Sequence, residues 1–436
     1  MIDFIATLDP HNGLAAASAL RPPRQPDEPL WQGLVELHPA RTGAAPHQGG
    51  ALAREVVGAY GGSRGDTLVR AAGEAVERFA LYPAGDPATV ALAAELAGAA
   101  LDFTREGAEL ADPAAARREL RWYQGRSLVD GDRVHVPAGM VDYPAHPDDA
   151  AGFDPSPSGA ASGATREQAL LSALLEVIER DALITAWHCR LPLPVADPEA
   201  VLRQSPATPG RQRLQLAHRA ASAAGLRPVL AWIPTGLPGV HCATAVIVDT
   251  DGPGPLAAVG ACASGDPCTA LGKALQEAMQ IRSALRLVNR HDPADAPTAQ
   301  PRTELERAQY FASEHGAAAV AAWAAGFVPE DGRPVDAGPG AAPGAAPDGL
   351  TVDGLVRALA EQGVRPVAID LTHRLPEVLV RMGWHAVKIV PEGLQPLRLD
   401  ESCAFNWHRG RLASAAARTG LTPLAPEGRR EPHPLI

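Results

Sequence analysis

One helical signature recurs at three places in this chain. Glu74-Ala-Val-Glu77-Arg78 lies within TLVRAAGEAVERFAL, and Glu176-Val-Ile-Glu179-Arg180 within TREQALLSALLEVIERDAL. A variant, Glu277-Ala-Met-Gln280-Ile-Arg282, lies within CTALGKALQEAMQIRSAL. Side chains three apart share a helix face, so each copy presents two oxygen-bearing groups in one direction. A single copy reads more readily as a solvated face of Glu–Arg pairs, worth only about 0.2–0.5 kcal/mol each. The second copy argues against that, because Ala173, Leu174, Ile178 and Ala182 surround it and leave little polar surface for water. Four glutamates from two copies, joined by Glu277 from the third, make a strongly anionic pocket if they converge. Such a pocket either raises its carboxyl pKa values or takes up hard, oxygen-seeking cations such as Mg²⁺. The repeats therefore point to a metal–nucleotide site.

Each copy follows a run of small residues. Gly61-Gly62-Ser63-Arg64-Gly65 leads into the first, residues 153–163 (FDPSPSGAASG) into the second, and residues 259–267 (VGACASGDP) into the third. Strand-like runs lie between. Residues 119–142 alternate apolar and polar positions around Asp130-Gly131, a hairpin signal. PVLAWIP (228–234) and VHCATAVIVDT (240–250) are β-rich, and RPVAIDL (365–371) and HAVKIVPEGLQPL (385–397) flank a helical LPEVLVRMG. The recurring order of loop, long helix and strands predicts a mixed α/β (α+β) fold with pseudo-repeated helix–strand halves. Residues 1–50 read as an N-terminal arm or edge element. Residues 51–436 read as the catalytic unit, with flexible insertions near 291–301 and 331–349 and a Pro-rich tail at 431–436. Trp122 reads as hairpin packing and Trp187-His188-Cys189 as core. Asp370 falls at a predicted strand end, either a functional group or a cap.

Composition narrows the function classes. The chain has 436 residues and a net charge of −11, which gives no support to a nucleic-acid partner, since phosphate contacts need clustered Lys and Arg. ATP remains compatible with an acidic chain when Mg²⁺ stands between the charges. Aromatic residues make up 4%, so much of the core has to be Ala, Leu and Val. No apolar stretch reaches the ~20 residues of a membrane span, and no basic-then-apolar leader opens the chain. With five cysteines and no CxxC spacing, reduced thiols and a cytoplasmic location are expected.

Together these segments resemble the YcaO family, whose members use ATP to activate peptide backbone amides. The resemblance covers roughly residues 55–436. It rests on GSRGDTLVRAAGEAVER, WYQGRSLVDGDRVHVPAGMV, SGAASGATREQALLSALLEVIERDA, ALGKALQEAMQIR, VAIDLT and VKIVPEGLQPL, in the family's order. VPEGLQPL and the tail Pro432-His433-Pro434-Leu435-Ile436 are similar to the azoline-forming branch, with Ile436 where that branch usually ends in Pro. The resemblance implies a YcaO-like fold enclosing an ATP and Mg²⁺ site. It implies cyclodehydration of Cys, Ser or Thr in a ribosomally made precursor peptide to thiazoline or oxazoline, through phosphorylation of the amide oxygen.

Carried over by position, the resemblance makes Glu74, Glu77, Glu176, Glu179 and Glu277 the Mg²⁺ and ATP ligands. It makes Arg64, Arg78, Arg180, Gln280 and Arg282 nucleotide-binding, and His433 and the terminal carboxylate of Ile436 proton-transfer groups. Departures are Arg64 for the usual Lys, Arg70 for a frequent Ser, Ala161 and Ala164 for Ser and Asn, and Gln168 for Glu. Arg64 keeps the charge; each of the other losses removes a possible hydrogen bond to nucleotide or metal, worth about 0.5–1.5 kcal/mol. They leave a non-catalytic scaffold open as an alternative, and thioamide or amidine formation is another. With few residues ahead of the first motif, a separate leader-binding partner protein is expected, and a homodimer by analogy with relatives.

Overall fold

The computed structural model describes residues 2–24, 28–38, 56–83, 88–96, 98–249, 254–294, 296–329, 350–425 and 431–436. The expected insertion at 331–349 and residues 39–50 of the expected arm lie outside the described residues.

The three repeats fold as the three longest helices, Arg64–Leu81, Arg166–His188 and Pro267–His291. Each begins the same way. A strand (Val56–Gly61, Ala160–Gly163 or Leu256–Ser264) runs into a capping residue, and that residue accepts from the backbone N–H three positions on. The caps are Ser63 to Asp66, Thr165 to Gln168 and Asp266 to Thr269. Caps of this kind contribute about 1 kcal/mol each and fix where the helix starts. Register is thereby set, and with it the direction in which each glutamate pair points.

The strands form three main sheets. Within the expected arm or edge element, Ala15–Arg21 and Trp31–Leu37 pair antiparallel and continue onto Val56–Gly61. Val229–Trp232, His241–Asp249 and Leu256–Ser264 form a second sheet with the last at an edge. A six-stranded sheet joins Thr89–Ala91, the hairpin Leu120–Ser127 and Arg133–Pro137, Arg365–Asp370, His385–Glu392 and Ala160–Gly163. The hairpin turns where the Asp130-Gly131 signal placed it.

Small residues let helices and strands approach closely, as the low aromatic content requires. Ala71, Ala72 and Ala75 are buried on the first motif helix, and the Ser162 hydroxyl donates to the Gly73 carbonyl across that contact. Gly260 sits flat against the third motif helix, where an added Cβ would collide with the Ala274 carbonyl. The second motif helix is central, and buried Asp181 on it accepts two bonds from Arg411 Nε and Nη2, at 3.0 and 2.8 Å, and one from the Gln395 backbone N–H. This ties the EGLQPL segment to the helix carrying Glu176 and Glu179.

Trp122 packs tilted against Phe103 and donates to the Ala91 carbonyl, and Trp187 is core, edge-on to Trp323. Asp370 caps the following turn through the Thr372 N–H. No helix among the described residues is long and apolar enough to cross a membrane.

Candidate functional site

The three motif helices converge on one cavity of ≈ 450 Å³. Glu74, Glu77 and Arg78 enter from the first, Glu176, Glu179 and Arg180 from the second, and Lys273, Gln276, Glu277 and Gln280 from the third. Glu304, Arg70 and the tail residues Leu435 and Ile436 complete the polar and apolar wall. Six glutamates thus share the wall with four cationic side chains.

The edge strand Leu256–Ser264 organises the deep end. Among the described residues only one of its sides is paired, so alternate backbone N–H groups are free to take other acceptors. Ala261 N–H donates to Glu277 Oε2 at 2.7 Å and Ala263 N–H to Glu179 Oε2 at 3.1 Å. Arg180 bridges its own helix, donating to Glu179 Oε1 at 2.7 Å and Glu176 Oε1 at 3.3 Å, while Arg78 donates to Glu74 Oε1 at 3.1 Å. Gln276 accepts from Arg70 and donates to the Tyr60 carbonyl, locking the third helix to the strand Val56–Gly61.

The electrostatics follow from that packing. Burial pushes the Glu179 carboxyl up to about 8; Arg180 and the Ala263 N–H oppose the rise and Glu277 and Glu176 add to it. Burial raises Glu277 as well, against the pull of Arg180. Glu77 is held well above the ordinary carboxyl range by burial and then by Glu74 and Glu176. Burial disfavours the charge on Arg180, yet Glu179, Glu176 and Glu277 outweigh it and hold the guanidinium firmly protonated.

A magnesium–nucleotide complex fits this donor set. Among the described residues no three ligating side chains stand close enough to hold an ion unaided. Mg²⁺ does not need them, because it commonly takes one or two carboxylates and completes its shell with phosphate oxygens and water. Ionising these buried carboxyls asks for a cation. Arg180 Nε is buried and has no partner among the described residues.

Placement of the remaining expected residues is uneven. Arg282 does not line the cavity; it is 4% exposed and donates from Nε to Asp249 Oδ2 at 2.8 Å, beside Arg286. The reason is helical phase: Arg282 lies five residues after Glu277, on a different face from Glu277 and Gln280. Arg64 opens the first motif helix, exposed and outside the cavity wall. His433 is 4% exposed and does not reach the cavity either. Its Nδ1 accepts from the Leu435 N–H and its Nε2 lies 2.6 Å from the Arg398 carbonyl, so the ring is the neutral Nε2–H tautomer. Burial, with Arg307 nearby, holds its pKa well below the usual value. It anchors the tail, together with fully buried Arg307, which donates to the His433 carbonyl. Ile436 does line the cavity.

Three of the departures concern the second helix's start or the strand before it rather than the site. Gln168 accepts from the Ala164 N–H and its own N–H donates to Thr165, a reciprocal cap, and neither Ala161, Ala164 nor Gln168 touches the cavity. Arg70 does, adding a cation to the wall. Lys388 was not singled out by the sequence. It is 2% exposed, donates to the Ser156 and Ser158 carbonyls at 2.6 Å, and is pushed down to about 8 by burial, with Glu176 and Glu77 pulling the other way. Its only sequence signal is a cation inside the apolar run AVKIV.

The family model of the YcaO cyclodehydratases, described as ATP- and Mg²⁺-binding, matches residues 58–395. The chain belongs to the YcaO family. A heterocyclase solved in complex with substrate and cofactor superposes with a TM-score of 0.69 at 18% identity, over 99% of this chain and 56% of that one. YcaO from Methanopyrus kandleri, bound with AMPPCP and Mg²⁺, gives 0.59 at 19% identity over 89% and 88%. The E. coli microcin synthetase McbBCD complex with pro-MccB17 bound gives 0.59 at 14% over 86% and 88%. At such identities these likenesses speak for the fold. An uncharacterized protein of Methanothermobacter thermautotrophicus is 40% identical over 68 residues, 15% of this YcaO chain and 18% of that protein. The chain thus spans little more than half of the heterocyclase it superposes on, and its match takes in under a fifth of the curated relative.

Proposed function

We propose that this YcaO protein is an azoline-forming cyclodehydratase acting on a ribosomally made precursor peptide, with ATP and Mg²⁺ bound in the ≈ 450 Å³ cavity. The observation that carries the reading is the meeting of carboxylates from three distant helices around one wall that also includes the tail residues Leu435 and Ile436. A Cys, Ser or Thr side chain attacks the preceding amide carbonyl, and its proton passes to a nearby base. Bound ATP supplies the phosphoryl group that turns the amide oxygen into a leaving group. Side-chain attack closes the ring; phosphate then departs with the former carbonyl oxygen as the amide nitrogen gives up its proton and the C=N bond forms, so the balance is one water lost from the peptide per ATP converted to ADP and phosphate.

The chain's own residues supply position and charge, which dominate catalysis of phosphoryl transfer. Glu74, Glu77, Glu176, Glu179 and Glu277 hold Mg²⁺, of which only those nearest an ion ligate it directly. Arg78 and Arg180 keep the empty cavity from expelling its carboxylates and offer donors to phosphate oxygens. Ile436 brings the tail to the cavity. His433 serves by fixing that tail, and Arg282 by fixing the third helix to Asp249. The departures carry little weight for a scaffold role, since Ala161, Ala164 and Gln168 lie off the cavity.

A partner protein that binds the leader segment and presents the core is part of the reading; the McbBCD neighbour, a complex with pro-MccB17 bound, supports it. The test is reconstitution of the chain with a precursor and partner from its own gene neighbourhood, ATP and Mg²⁺, read by mass spectrometry. Loss of one water per modified residue is expected. A mass increase would indicate thioamide chemistry instead, and an unchanged mass with nucleotide bound would sink the reading.

A further inference from the structure

Beside the cavity lies a second chamber of ≈ 220 Å³, which shares Gly58, Glu74, Arg78, Gln280, Glu304 and Ile436 with it. Tyr143 closes the far wall, its hydroxyl donating to Glu304 Oε1 at 2.7 Å. The common boundary is the strand Val56–Gly61, of which Val56, Val57 and Gly58 line the chamber and Gly58, Ala59 and Tyr60 line the cavity. Among the described residues this strand pairs on one side only, with Trp31–Leu37.

The outward backbone groups can be identified. In an antiparallel pair the N–H and C=O of one residue point to the same side, alternating along the strand. The Tyr60 carbonyl accepts from Gln276, outside the sheet. On the neighbouring strand, His38 N–H donates to Leu14, away from Val56–Gly61; alternation then turns Leu37, Val35, Gly33 and Trp31 inward, opposite Val57, Ala59 and Gly61. Both observations leave Val56, Gly58 and Tyr60 facing out, and only Tyr60 meets a described side chain. Gly58 is exposed, and a Cβ built there meets nothing within 4 Å, so open space lies over the strand where the two voids join.

Resting on the cyclodehydratase reading, we infer that the substrate peptide binds as an added strand along the Val56–Tyr60 edge. One substrate residue exchanges both backbone bonds with Gly58. The next residue's carbonyl, by strand alternation, points away from the edge, toward the carboxylates of the motif helices. Main-chain bonds supply affinity without reading side chains, which suits an enzyme presented with successive residues of one peptide.

The test is fluorescence anisotropy of a fluorescein-labelled dodecapeptide of repeating Gly-Ser-Ala-Thr with the full chain, AMPPCP and Mg²⁺, against the same peptide N-methylated at alternate residues. Binding to the natural chain is expected to weaken about tenfold or more on N-methylation, since each lost bond is worth a few-fold. Val56→Pro removes one outward donor without touching the ladder to Trp31–Leu37. It should weaken the parent peptide about three- to tenfold, with Val56→Ala unchanged, because Ala retains the N–H. Equal binding of both peptides, equal behaviour of Val56→Pro and Val56→Ala, or no binding of the parent at millimolar peptide overturns the inference. Failure of the enzyme assignment is read separately, as absence of water loss from an authentic precursor by a chain that still discriminates the two peptides.

Discussion

Glu179 makes the charge state of the cavity measurable. Its folded pKa of about 8 lies above the ordinary 4.5, and burial is the leading cause. Ionising it in the empty cavity therefore costs on the order of 5 kcal/mol at the outside, which a bound cation offsets. Below that pKa the ligand-free chain holds the proton, and Mg²⁺–nucleotide binding has to release it. Apparent affinity should then rise about tenfold per pH unit between roughly pH 6 and pH 8 and level off above. Glu277 and Glu77 are raised too, so the slope is at least one proton. Glu179→Gln keeps an amide oxygen for the Ala263 N–H and has no proton to lose, so its slope should fall by about one. The assay is isothermal titration with AMPPCP and Mg²⁺ in two buffers of different ionisation enthalpy. Subtracting variant from natural chain cancels the nucleotide's own titration. Equal proton counts for the two proteins, or pH-independent affinity in both, would refute the burial argument and with it the picture of a cavity that needs a cation.

Other expectations follow from the same contacts. Because the native chain binds the Glu179 proton and the unfolded chain does not between pH 4.5 and about 8, ligand-free stability should fall as pH rises through that window, and scanning calorimetry should show Mg²⁺–nucleotide flattening the fall. Arg411→Met leaves Asp181 buried without its bidentate partner and should cost about 3–5 kcal/mol in urea unfolding. Arg282→Met should lower the Tm while the folded fraction keeps its AMPPCP affinity, since Arg282 meets Asp249 and not the cavity; a selective loss of nucleotide binding would return Arg282 to the site. Gly260→Val forces a side chain into the Ala274 backbone and should cost about 3 kcal/mol or more, read by thermal melts.

What the sequence made legible was whatever repeats locally. Three loop–helix units are legible because small-residue runs and glutamate spacing are short-range patterns, and helix geometry then fixes the direction of each pair; that the runs before the second and third helices overlap the strands Ala160–Gly163 and Leu256–Ser264 is not. Convergence of the three helices on one wall is a tertiary fact that the repetition left as a condition, since no local pattern says which helices pack together. Arg282 and His433 are governed by partners distant in sequence. Both sit in the right segment, but one extra residue between Gln280 and Arg282 turns the arginine onto Asp249, 33 positions away, and no local pattern announces that partner. His433 is diverted by Arg398 and Arg307, which reach it from 35 and 126 positions away.

Lys388 was hidden for the opposite reason. Its neighbours in sequence are Val387 and Ile389, so the local pattern predicts a fully buried strand and gives no account of the amine. Inside the fold the amine has the Ser156 and Ser158 carbonyls and, beyond them, the field of Glu77 and Glu176. A buried cation in an otherwise apolar strand is costly unless something compensates it, and here the compensation is the same acidic cluster that the repeats announce. An unexplained charge in a core strand was thus a second pointer to the cavity, readable only by asking which carboxylates elsewhere in the chain lacked a partner.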